Sequence, residues 1–144
     1  MTRSTLPVLA AAAALAACAG SLWPTLRSTA PADRAEVLAC ANAFTDSLGY
    51  RRTWTDERTG LDARKQNLDV QPRTWRERNR TDVLAVRLER AGEGRTQLAV
   101  EARSFSEETT ERGPTTREEY ATDLVQAHAR ALLDRCGEGG PAAG

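Results

Sequence analysis

Hydrophobic residues run almost unbroken from Leu6 to Ala17. They then recur at helical spacing, alternate with polar residues through the middle of the chain, and return to helical spacing near its end. In the first helical stretch Val37, Cys40, Ala41, Phe44 and Leu48 fall on one face. Asp33 follows Pro31 and has Glu36 three residues on, which is a capping box, and Gly49 supplies a left-handed stop. The spacing predicts a helix over 33–48. Residues 50–55 alternate, with Tyr50, Arg52 and Trp54 on one face, and a turn over 56–60 leads into a return strand over 61–66. Residues 67–73, with Asn, Asp and Pro72, read as a loop. The strongest strands are 82–90, with Leu84, Val86 and Leu88 inward, and 96–105, with Leu98, Val100 and Ala102 inward. The short Gly-Glu-Gly link at 92–94 joins them as a hairpin.

Residues 106–113 are polar and read as a loop. A second helix opens at Pro114, capped by Thr116 with Glu119, and runs to Cys136 before Gly137. Its apolar face holds Tyr120, Ala121, Leu124, Val125, His128, Ala131, Leu132 and Cys136. The element order is α-β-β-β-β-α, an α+β fold: a two-layer sandwich of a roughly four-stranded antiparallel sheet with both helices on one face. The other face, with Arg87, Glu89, Glu101 and Arg103, is expected to be wet and rich in ion pairs.

The leading apolar run is too short to span a bilayer, which takes about 20 residues. With Arg3 ahead of it, it reads as a signal peptide over 1–17. Its end, Leu15-Ala16-Ala17-Cys18, resembles the lipobox of bacterial lipoproteins. That resemblance implies a lipidated Cys18 and a membrane anchor through acyl chains. The small and polar residues and two prolines that follow read as a flexible tether over 18–32 ahead of one domain over 33–136. A tail over 137–144 is expected to be disordered. Ala19 after the cysteine, where an aspartate marks retention at the inner membrane, favours the outer membrane and a periplasmic location. Cleavage after Ala19 as an ordinary secretory signal is the alternative.

The folded region also resembles small envelope lipoproteins of helix–sheet–helix form. The features that carry this are Gly49-Tyr50, the 56–60 turn followed by Ala63-Arg64-Lys65-Gln66, the strand start at Asp82, and Cys40 with Cys136.

With Cys18 assigned to the anchor, Cys40 and Cys136 form an even pair in an oxidising compartment, which points to a disulfide tying the two helices. A redox or metal site is the alternative, but there is no Cys-x-x-Cys, and His128 is the single histidine. No metal or cofactor site is legible. The 144-residue chain carries 20 basic and 20 acidic side chains, a balance that argues against a nucleic-acid binder. His128 lies within an apolar helix face and reads as a packed structural histidine. No serine sits in a nucleophile elbow.

One local echo remains: Arg52-Thr-Trp54 recurs as Arg73-Thr-Trp75, followed by Arg76, Arg78 and Arg80. Arginine forks beside tryptophan suit phosphate or carboxylate groups. The sequence therefore supports a non-catalytic lipid-anchored binding, assembly or structural module with an envelope protein partner. A carrier or weak enzyme holding an anionic lipid or glycan near Trp54, Trp75, Arg76 and Arg78 is the alternative.

Overall fold

The computed structural model describes residues 23–67 and 77–138. In chain order these form β1 (Thr25–Ala30), α1 (Arg34–Ser47), β2 (Arg51–Asp56), β3 (Gly60–Gln66), β4 (Glu77–Arg90), β5 (Thr96–Thr110), β6 (Gly113–Glu119) and α2 (Asp123–Cys136). All strand pairs are antiparallel in one sheet of order β1-β5-β4-β3-β2, with β6 also on β5. The α+β class and the two helices agree with the sequence reading. The strand number is six rather than four, and the order becomes β-α-β-β-β-β-β-α.

The two additional strands share one edge of β5. Thr25 to Ala30 pair with Glu101 to Thr96, and Gly113 to Glu119 pair with Thr110 to Ser104. The expected tether over 18–32 therefore contains β1. Leu26, Ser28 and Ala30 alternate with Thr25, Arg27 and Thr29, and Pro24 and Pro31 bound the strand where a missing N–H does least harm. The supposed loop over 106–113 and the first part of the supposed second helix form the β5–β6 hairpin. Pro114 is tolerated there because β6 is an edge strand, and Gly113 turns the chain at φ 109°. Helix α2 then starts at Asp123, capped by Thr122 rather than Thr116. Tyr120 and Ala131, expected on its buried face, are exposed, and Val125, Ala129, Leu132 and Cys136 form that face.

The first helix agrees closely with expectation. Asp33 Oδ1 accepts from Glu36 N at 3.0 Å, and Gly49 closes the helix at φ 78°. Core packing follows the register, which sets Leu84 against Ala102, Val86 against Val100 and Leu88 against Leu98. These side chains, with Leu61 and Ala63, bury against Val37, Leu38, Ala41 and Phe44 of α1 and Val125, Ala129 and Leu132 of α2. Cys40 and Cys136 are bonded with Cα atoms 5.8 Å apart, joining α1 to α2 above the sheet. At the start of β3 the chain passes so close to β4 that a Cβ on Gly60 would lie 2.0 Å from the Val86 carbonyl oxygen. Among the described residues no helix is long and apolar enough to cross a membrane.

Candidate functional site

The inward alternation of β4 and β5 that places leucine and valine in the core continues, at one end of the sheet, through Arg80, Asp82, Ser104 and Ser106. All four are buried. Asp82 is 1% exposed, and an isolated charge at that depth is costly unless hydrogen bonds replace its water. Its Oδ1 accepts from Ser104 Oγ at 2.5 Å. Its Oδ2 accepts from Asn67 Nδ2 at 2.7 Å and Thr122 Oγ1 at 3.0 Å. Thr122 N donates to Ser104 Oγ at 3.0 Å, and Thr122 Oγ1 accepts from Val125 N at 3.3 Å as the cap of α2. The carboxyl group thus lies behind a helix N-terminus, where the macrodipole favours negative charge.

Beside this network Tyr50 OH and His128 Nδ1 lie 3.0 Å apart, with the two rings edge to face. Lys65 Nζ donates to Leu48 O at 2.7 Å, satisfying a carbonyl at the end of α1. Burial, and then the negative field of Asp82, hold the Tyr50 phenol well above its ordinary value. Burial, and then Lys65, hold the His128 imidazole below its ordinary value, with Asp82 opposing. Both rings are therefore neutral near pH 7. Ser104 is fully buried and bonded to Asp82, and His128 is bonded to Tyr50, so serine and histidine are not brought together as nucleophile and base.

A pH dependence follows. The folded state binds a proton at His128 less readily than the unfolded chain, so the depressed group contributes stability above the unfolded value of about 6.5. That contribution is lost as pH falls through the folded value. Urea midpoints measured between pH 7.5 and pH 5.5 are expected to decline with acidification, and His128→Gln to flatten the decline. An unchanged slope in the variant would refute the assignment.

On the opposite face, a bulge in β2 between Arg52 and Trp54 separates residues expected to lie together. Arg52 reaches back to Asp46 of α1 at 3.3 Å, whereas Trp54, opposite Asp62, lies on the open face at 42% exposure. Tyr50 precedes the strand and is buried in the core. The Arg87 guanidinium carbon is 5.2 Å from the Trp54 ring centre, and its Nη1 is 2.8 Å from Asp62 Oδ1. Trp75 and Arg76 lie outside the described residues, as do Cys18 and the side chain of Arg78. Of the proposed ligand cluster, the structure therefore places Trp54 alone.

A second aromatic–arginine centre escaped the sequence reading. Arg103 lies 5.6 Å from the Trp23 ring and 5.0 Å from the Phe105 ring, and its Nε donates to Glu118 Oε1. The alternation predicted that Arg103 faces outward. Nothing local in the sequence indicated that Trp23 returns to it. At the far end of the molecule an open cleft of about 800 Å³ is lined by Arg34, Arg58, Arg90 and Arg95 together with Asp33, Glu57 and Glu93. These mixed charges supply no single electrostatic preference. Among the described residues no three His, Cys, Asp or Glu side chains are grouped to hold a metal ion.

Comparison with protein-family models, with curated proteins and with solved structures gave no match to this chain.

Proposed function

We propose that the chain is a lipid-anchored protein of the bacterial envelope, acylated at Cys18 and facing the periplasm from the outer membrane. Its folded part acts there as a non-catalytic binding, assembly or structural module. The observation that carries this reading is the sequence Leu15-Ala16-Ala17-Cys18 at the end of the leading apolar run. A thiol is the side chain that can carry a thioether-linked diacylglycerol, and the small residues before it suit an extended peptidase substrate. More than one acyl chain gives stable anchoring where a single chain gives only marginal binding. The bond between Cys40 and Cys136 supports the same compartment, because structural disulfides persist where thiols are not kept reduced.

Growth with radioactive fatty acid is expected to label the wild-type protein and to leave Cys18→Ala unlabelled. An unlabelled wild type, or a labelled variant, would overturn the anchor.

The reading as a carrier of an anionic lipid or glycan draws support from the exposure of Trp54 on the open sheet face. It is the weaker of the two, because Arg87 stacks on that ring and is itself paired with Asp62.

A further inference from the structure

The start of β1 and the end of β6 meet at one point on the edge of β5. Thr25 pairs with Glu101 and Glu119 pairs with Ser104, so the two strands are separated there by the width of Ala102 and Arg103. Trp23, two residues ahead of β1, is already fixed to the sheet against Arg103. On the β6 side Tyr120 is 77% exposed, against 42% for Trp54, the other exposed large hydrophobic residue among those described.

We infer that this corner is the surface that rests on the bilayer, with Trp23 and Tyr120 seated among the lipid headgroups. The inference rests on the acylation of Cys18 proposed above. A fully extended chain advances at most about 3.6 Å per residue, so Trp23 lies within about 18 Å of the anchored cysteine. That leash is shorter than the reach of a disordered linker running to residue 32, and it holds this corner closer to the lipid than the rest of the domain. Tyr120, which is exposed, and Trp23, half-buried against Arg103, suit the position: tyrosine and tryptophan concentrate at membrane–water interfaces because an apolar ring carries a polar tip. Arg117 of β6, with its side chain 75% exposed, lies 3.8 Å from Glu119 and is offset by that carboxylate, so this corner is held at the lipid by its aromatic rings and the leash. Trp54 provides an internal contrast. It lies on β2, three strand spacings from β5, or about 14 Å across the sheet.

The test uses the full acylated chain in vesicles of phosphatidylethanolamine and phosphatidylglycerol with dibrominated acyl chains, which quench nearby tryptophan. Mass spectrometry first establishes the acyl groups on Cys18. With Trp54→Phe and Trp75→Phe, emission from Trp23 is expected to fall about two-fold, as for an interfacial ring. Tyr120→Trp, placed in a chain whose three native tryptophans are phenylalanine, is expected to be quenched to the same degree. A chain retaining Trp54 alone is expected to stay bright.

Hydroxyl-radical footprinting of the unsubstituted chain provides a measurement independent of those substitutions. Tyr120 is expected to be protected on vesicles relative to Cys18→Ala in buffer, and Trp54 is not. Acylated protein with Trp23 and position 120 unquenched, or Tyr120 unprotected, would overturn the docking and leave the anchor standing. Equal quenching of Trp54 and Trp23 would also overturn it, by showing that the whole open face lies on the membrane. Absence of acyl groups on Cys18 would remove both readings.

Discussion

Severing the bond between Cys40 and Cys136 is expected to cost the fold up to about 4.7 kcal/mol, the value for a loop near 100 residues in the chain-entropy model. The cysteines are 96 positions apart, so the closed loop holds β2 through β6 and most of both helices. With the bridge intact, the unfolded chain cannot separate its two ends, and folding begins from a smaller ensemble. A domain of this size has about 5–15 kcal/mol in all, so the loss moves it close to the unfolding threshold. The paired variant Cys40→Ala with Cys136→Ala should show a lower urea midpoint than the oxidised parent. Reduction of the parent should reproduce most of that shift. Thiol counting on the denatured, unreduced domain is expected to find neither cysteine free. Equal midpoints for the oxidised and fully reduced protein would refute the prediction.

Asp82→Ala is expected to destabilise by about 3 kcal/mol or more, because it strands several polar donors at about 1–3 kcal/mol for each that stays buried and unsatisfied. Three donors lose their acceptor at once, from Ser104, Asn67 and Thr122. Ser104 is fully buried and Asn67 nearly so, so water does not readily replace the carboxyl group. The effect also reaches α2, because the Thr122 hydroxyl that caps its first turn is held in place by Asp82. Amide exchange in that first turn should therefore accelerate beyond what a global loss of stability explains. Asp82→Asn keeps the volume and one acceptor but points a new donor at two existing ones, so it should fall between wild type and alanine. A loss below about 1 kcal/mol for Asp82→Ala would show that the network is not a structural centre.

The parts of this fold that were legible in the sequence are those specified by neighbours in the chain. Helix α1 carries its cap, its apolar spacing and its stop within seventeen consecutive residues, Asp33 to Gly49. The central strands β4 and β5 alternate cleanly where their inward residues are apolar. Both cysteines lie on helices, and the expected pairing is present.

The parts that were missed depend on distant partners. Strand β1 has the composition of a linker and becomes a strand because β5 presents an unpaired edge to it. Strand β6 opens with Gly-Pro-Thr-Thr, which locally suits a helix start as well as a hairpin, and the length of β5 decides between them. The polar end of the core around Asp82 and Ser104 has no local signature, because its residues satisfy one another across four segments. Trp54 and Arg52 were placed together by period-two counting, and a single bulge sends them to opposite faces.

The shared edge of β5 also sets an order of assembly. Residues that leave a ribosome or a translocation pore first include β1, yet Thr25 has no partner until Glu101 has followed it out. Contacts of such separation in sequence are slow to form, since the intervening chain must be closed into a loop first. The β1 segment consequently stays unpaired while most of the remaining chain is made. It becomes fixed to the sheet only when nearly the whole domain is present.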